Sequence, residues 1–237
     1  MKQGFLTAAL GICALLFAAP AVSRGDIIFT NYDPSFSYNI GAVNFVGNGL
    51  DATTNNYAQG DTFTPAGSYV FGSLDISLVC FFGPGSCSSP VTVSLETDSA
   101  GVPGATLETF NVAGPSLAGF GANNPPVVLN AAGPPLLLTA GKPYWVTVSS
   151  SFANSIGWNL NSTGDMSNEA ISTDGGTTWF APSGLTPGAY QVNGTAVPEP
   201  KASVLLAIIL SLLVLGKSGA RLRNRSASGA IRFFGEN

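Results

Sequence analysis

Histidine is absent from this 237-residue chain, and that removes most of the common catalytic arrangements. Without an imidazole there is no Ser-His-Asp or Cys-His relay, no histidine metal site and no neutral-pH general base of the usual kind. Of the three cysteines, Cys13 lies in an apolar leader, while Cys80 and Cys87 bracket Phe-Phe-Gly-Pro-Gly-Ser. Two thiolates are too few for a structural zinc site. Neither cysteine sits in a CxxC, so a redox pair is disfavoured. In an exported chain the expected state of Cys80 and Cys87 is a short-loop disulfide that staples a turn between strands.

Carboxylates are what remains. Glycoside hydrolysis needs two placed carboxyl groups. Glu96, Glu108 and Glu169 with any aspartate could supply them, but no motif singles out a pair, and a hydrolase ranks third among the functional readings. Asp165, Glu169 and Asp174 lie close together in a loop-rich segment and offer the hard oxygens that Ca²⁺ takes, although no D-x-D-x-D-G loop is present. Calcium is therefore the one cofactor considered, with no organic cofactor expected. Ser172-Thr-Asp174-Gly-Gly176-Thr-Thr178-Trp179 resembles the Asp-box of sialidases, S-x-D-x-G-x-T-W. That likeness implies a structural hairpin turn in which Asp174 accepts backbone N–H bonds, Gly176 takes positive φ and Trp179 packs beneath. Trp145, Trp158 and Trp179 with Tyr57, Tyr69, Tyr144 and Tyr190 could include a sugar-stacking face. Trp145 and Trp158 read as core, and Tyr57, in an Asn-rich loop, is the better exposed candidate.

Charge narrows the partners. Over residues 22–196 the chain carries Arg24 and Lys142 against eleven Asp and Glu, a balance of −9, whereas the whole chain carries −4. An acidic domain repels phosphate backbones, so nucleic acid is excluded as a partner, and anionic polysaccharide is disfavoured too. Neutral sugars, divalent cations and proteins stay open.

Both ends read as addresses. Residues 1–21 carry Lys2, an apolar core and Ala19-Pro20-Ala21, the pattern of a secretory signal peptide. Near the other end stand Val197, Pro198, Glu199 and Pro200, an uncharged apolar run over 202–216, then Lys217, Arg221, Arg223 and Arg225. That run makes roughly 22 Å of helix against about 30 Å of hydrocarbon, and the basic cluster holds its far end in the cytoplasm. The order resembles the PEP-CTERM sorting signal of Gram-negative bacteria. The resemblance implies an exosortase-type processing enzyme and the export machinery as partners, an inner-membrane helix at 202–216 before processing, and a cytoplasmic tail at 226–237. A plain C-terminal anchor is the competing reading.

The segment from 22 to 196 is long enough for one domain with a true core. Short runs of Val, Phe, Tyr and Trp separated by Gly, Pro and Asn are the vocabulary of an all-β exported domain. Strands are expected over 26–30, 42–46, 69–79, 91–97, 105–112, 127–130, 136–139, 144–149, 155–160, 177–180 and 189–196, with a turn over 98–104 and a loop-rich stretch over 31–61. In 91–97, Val91, Val93 and Leu95 face inward and Thr92, Ser94 and Glu96 outward. In 69–79, Val70, Leu74, Ile76 and Leu78 suggest alternation around Gly72. The fold expected is an antiparallel β-sandwich, jelly-roll-like, flanked by the signal helix and the transmembrane helix. Residues 95–107, Leu138-Thr-Ala-Gly-Lys-Pro-Tyr-Trp-Val and Gly157-Trp158 resemble the "choice-of-anchor" domains, which implies a displayed, non-enzymatic sandwich. The expected protein is exported, first membrane-anchored and then at the cell surface or in extracellular matrix. Its sandwich is structural or adhesive, and the alternative is a carbohydrate-binding module for neutral exopolysaccharide.

Overall fold

The computed structural model describes residues 25–48, 54–151, 155–182 and 184–198. The expected signal peptide, the 202–216 helix, Glu199, Pro200, Arg221, Arg223, Arg225 and the 226–237 tail lie outside them. Among the described residues no helix is long and apolar enough to cross a membrane. The chain divides between Val197 and Pro198 into two compact units, and every described residue but Pro198 belongs to the first.

That unit is all-β. Its strands in chain order are β1 (Asp26–Thr30), β2 (Asn39–Gly47), β3 (Ala58–Phe63), β4 (Tyr69–Ile76), β5 (Leu78–Cys80), β6 (Val91–Ser99) and β7 (Val102–Val112). They continue with β8 (Val127–Asn130), β9 (Leu137–Leu138), β10 (Tyr144–Ser150), β11 (Ser155–Leu160), β12 (Glu169–Ser172) and β13 (Tyr190–Ala196). One sheet runs β1-β13-β4-β8, with β9 also on β4; a second runs β12-β3-β10-β6-β7; a third runs β2-β11-β5. The pairings within named strands are antiparallel.

The apolar residues of all three sheets meet in one core. Leu74, Ile76 and Val192 come from the first sheet, Val91, Val93, Leu95, Val146 and Val148 from the second, and Val46, Ile156 and Trp158 from the third. Tyr190 sits at their junction. Its ring lies 5.8 Å from Trp158 and 6.4 Å from Phe63, and its hydroxyl donates to the Thr62 carbonyl at 2.9 Å. Burial of these faces supplies the main driving force for the fold. Both Trp145 and Trp158 are fully buried, as their strand patterns require. Trp145 points away from the shared core and donates its indole N–H to Asp98 at 2.9 Å.

Local chemistry explains where the strands differ from the sequence pattern. The 98–104 turn contracts to Ala100 (φ 56) and Gly101 (φ 86), so β6 and β7 reach further than expected. Two successive positive φ values make the hairpin turn whose twist matches its strands. At Gly72 the alternation slips: Phe71 and Leu74 are both buried, opposite a register shift at Asn193 and Gly194. The expected strand at 177–180 gives only an isolated bridge from Phe180 to Ile171, and the strand itself is the earlier β12. At the end of the loop-rich 31–61 stretch begins β3, whose Ala-Gln-Gly-Asp-Thr-Phe has almost no apolar alternation and runs on to Phe63.

Candidate functional site

Those last two strands bring together the two carboxylates that matter most. β12 pairs antiparallel with β3, and Glu169 stands directly opposite Asp61. The neighbouring pair is joined by the Thr62 N–H to the Asn168 carbonyl at 3.0 Å. Asp61 and Glu169 therefore occupy the non-hydrogen-bonded kind of position, where opposed side chains come closest, about 5 Å between Cβ atoms. Both point into the interior, since Asp61 shares its face of β3 with the core residue Phe63. Asp61 is 0 % exposed and Glu169 2 %.

Each carboxylate has one oxygen engaged and one not. The Gly188 N–H donates to Asp61 Oδ2 at 2.7 Å, and the Asn44 side-chain amide on β2 donates to Glu169 Oε1 at 2.8 Å. Asp61 Oδ1 and Glu169 Oε2 are buried without a hydrogen-bond partner. Two residues along β3, Gln59 donates its amide to the Phe45 carbonyl at 2.8 Å, and its own Oε1 is likewise buried and unpartnered. The only Lys or Arg among the described residues is Lys142, in a separate cavity beside Asp98 and Tyr144. Burial, and then the Glu169 charge opposite, hold the Asp61 carboxyl well above the usual aspartate range, against the pull of the Gly188 N–H. Burial pushes Glu169 to about 7.

Gly188 is fixed by this arrangement. The Trp158 indole lies so close that a Cβ there would stand 2.3 Å from ring atoms. The segment is held by Asn31, which donates to the Gly188 carbonyl at 2.9 Å and accepts from the Tyr190 N–H at 2.8 Å.

The other expected site residues fall elsewhere. Asp174 accepts from Ser172 Oγ at 2.7 Å, Thr178 N–H at 2.8 Å, Thr177 N–H at 3.0 Å and Thr178 Oγ1 at 2.6 Å. These bonds hold its carboxyl down at about 2, the Thr178 hydroxyl contributing most. Gly176 has φ 96, and Trp179 lies against it, a Cβ there standing 3.4 Å from the ring. The Asp-box residues thus form the closed turn that their pattern implies. Asp165 caps its own loop, accepting from the Ser167 N–H at 3.1 Å and hydroxyl at 3.2 Å. Asp165, Glu169 and Asp174 are not gathered into one group; among the described residues no three His, Cys, Asp or Glu are.

Cys80 and Cys87 are joined by a disulfide, with Cα atoms 5.8 Å apart. Glu96 accepts from Thr147 Oγ1 at 2.8 Å on the face turned away from the shared core. Glu108, for which the sequence suggests an outward position, instead stands opposite Leu95 and two residues before Phe110 on the inner face, where it accepts from the Ala132 N–H at 2.9 Å. Tyr57 is half-buried, its hydroxyl accepting from the Asn55 amide at 3.2 Å. Among the exposed aromatic rings, Phe82 and Phe180 stand out most, and Phe36, 42 % exposed, sits at φ 61 in a tight turn. Asp33 holds it there by accepting from the N–H and hydroxyl groups of both Ser35 and Ser37. Tyr32 backs the ring, at 4.5 Å between centroids. Phe36 borders a shallow cavity of about 430 Å³ shared with Asp75, Asn123, Asn124 and Val128.

Asp61 and Gln59 were not foreseeable as site residues from strand patterning, since a polar face on a buried strand imitates a loop. The available signal was their spacing of two ahead of Phe63, which puts all three on one face if the segment is extended. Comparisons with protein-family models and with curated proteins give no match.

Proposed function

We propose that this chain is an exported surface or extracellular-matrix protein whose β-domain is a displayed structural or adhesive module, sorted through the PEP-CTERM-like tail. The observation that carries this reading is the position of the fold's last ladder bond. β13 ends at Ala196, and the Val197 N–H donates to the Ser68 carbonyl at 2.8 Å, immediately ahead of Pro198-Glu199-Pro200. Cutting within or after that motif would leave the sheet whole. Strand order supports the finer reading of a jelly roll. β1, β13, β4 and β8 form one four-stranded layer and β3, β10, β6 and β7 the other, with the chain crossing between them in the double Greek-key manner. The role is that of a non-enzyme, with an exosortase-type enzyme and the export machinery as its processing partners. The test is surface exposure in a host carrying the sorting enzyme. Protease accessibility of the β-domain on whole cells should fall sharply in a Glu199→Ala variant; unchanged display would refute the tail's role.

A second reading, binding of neutral exopolysaccharide, is favoured by Phe36. An aromatic face held rigid at a cavity edge, with uncharged Asn123 and Asn124 beside it, suits sugar stacking. Retention on a neutral-glycan column that disappears in Phe36→Ala, with melting temperature unchanged, is the expected result. Equal retention of the two proteins would remove this reading.

A further inference from the structure

We infer that Asp61, Glu169 and Gln59 form a binding site for one calcium ion at the seam between β3, β12 and β2. The acidic pair alone would not warrant this; Gln59 does. Its amide orientation is fixed because the Nε2 group donates to the Phe45 carbonyl, which leaves Oε1 free. Gln59 is 5 % exposed, and its oxygen is buried without a partner. It shares the inner face of β3 with Asp61 and is anchored at Phe45, next along β2 from Asn44, which anchors Glu169. Gln59 and Asp61 lie on one face of β3 with Glu169 opposite Asp61, and Asp61 Oδ1, Glu169 Oε2 and Gln59 Oε1 are three buried acceptors without a donor.

What the site lacks is therefore a donor or a cation. Buried carboxylates opposed across a ladder repel, and unsatisfied acceptors each carry a desolvation cost. No basic side chain reaches them, so compensation must come from solution. A single proton shared between Asp61 and Glu169 would satisfy two of the oxygens and leave Gln59 Oε1 stranded. A hard cation satisfies all three. Carboxylate and amide oxygens in an irregular, incomplete shell fit Ca²⁺, which accepts about 6–8 oxygens in flexible geometry and completes its shell with water; Mg²⁺ demands a stricter octahedron. Asp174, fully engaged in its turn, lies outside the ligand set, and Asp165 contributes only charge nearby.

The site is independent of how the tail is processed. The test uses the full chain, purified in mild detergent and stripped with EGTA, titrated with CaCl₂ by calorimetry and melted with and without it. One calcium per chain is expected, with melting raised by roughly 5–10 °C at a hundredfold excess over Kd. Glu169→Gln and Asp61→Asn should each weaken binding by more than tenfold while the circular dichroism spectrum stays unchanged, and Asp174→Asn should bind as the parent does. Absence of binding heat and of any melting shift would overturn the site and leave a protonated pair. An equal response to magnesium, or an undiminished response in Glu169→Gln, would overturn it as well.

Discussion

Replacing Glu169 by Gln should stabilise the calcium-free protein at alkaline pH, although it removes a buried, hydrogen-bonded side chain. Glu169 has its carboxyl raised from 4.5 to about 7 by burial. The folded state therefore keeps a proton that the unfolded chain releases, and stability falls as pH rises through the window from about 4.5 to about 7. Above that window the ionised side chain costs on the order of 2–3 kcal/mol. Glutamine keeps the acceptor for Asn44 and places an N–H₂ where Glu169 Oε2 is now unpartnered, on the residue directly opposite Asp61. In EGTA, urea melts at pH 8 should show the variant more stable by about 2 kcal/mol, with the gap closing by pH 5. Saturating calcium should reverse the order at pH 8. A variant less stable than the parent at pH 8 in chelator would refute the claim that these carboxylates repel and lack compensation.

Gly188→Ala should destabilise by more than about 3 kcal/mol, because its Cβ would meet the Trp158 ring at 2.3 Å and neither group can retreat from a packed core. Denaturant melts measure the loss, and a change under about 1 kcal/mol would show that the 186–188 segment yields. Changing Cys80 and Cys87 together to Ser should cost about 2–3 kcal/mol, the loop-closure entropy for a separation of 7. Reduction of the parent should reproduce that loss, and insensitivity to reductant would exclude the staple as a source of stability.

Strands with a clean apolar period were legible in advance. β1, β8 and β11 begin and end where their residue patterns place them, and β6 and β10 present the expected inward faces. The Asp-box turn was equally legible, since its bonds are made within a few residues of Asp174. β3 and β12 were not, because what makes them strands is non-local: the pairing of Gly60 with Thr147 and Ala170, and a polar interior reached only when β2 and Gly188 close over it. Glu169 stood out as a carboxylate in a loop-rich segment, but its partner Asp61 lies 108 positions away along the chain and is joined to it only through a ladder. Phe36 was hidden for a related reason. Its exposure depends on Asp33 gathering Ser35 and Ser37 into a turn, while the Asn-rich loop drew attention to Tyr57.

The central claim, that the β-domain is the exported product and the tail its address, rests most directly on where the mature chain ends. Intact mass spectrometry of the protein from washed cells and from medium, in a host with the sorting enzyme, measures that end. The account predicts a C-terminus within residues 198–201, just past the last sheet bond at Val197. A mass retaining residues 202–237, found in the membrane fraction, would contradict it and make the tail a plain anchor.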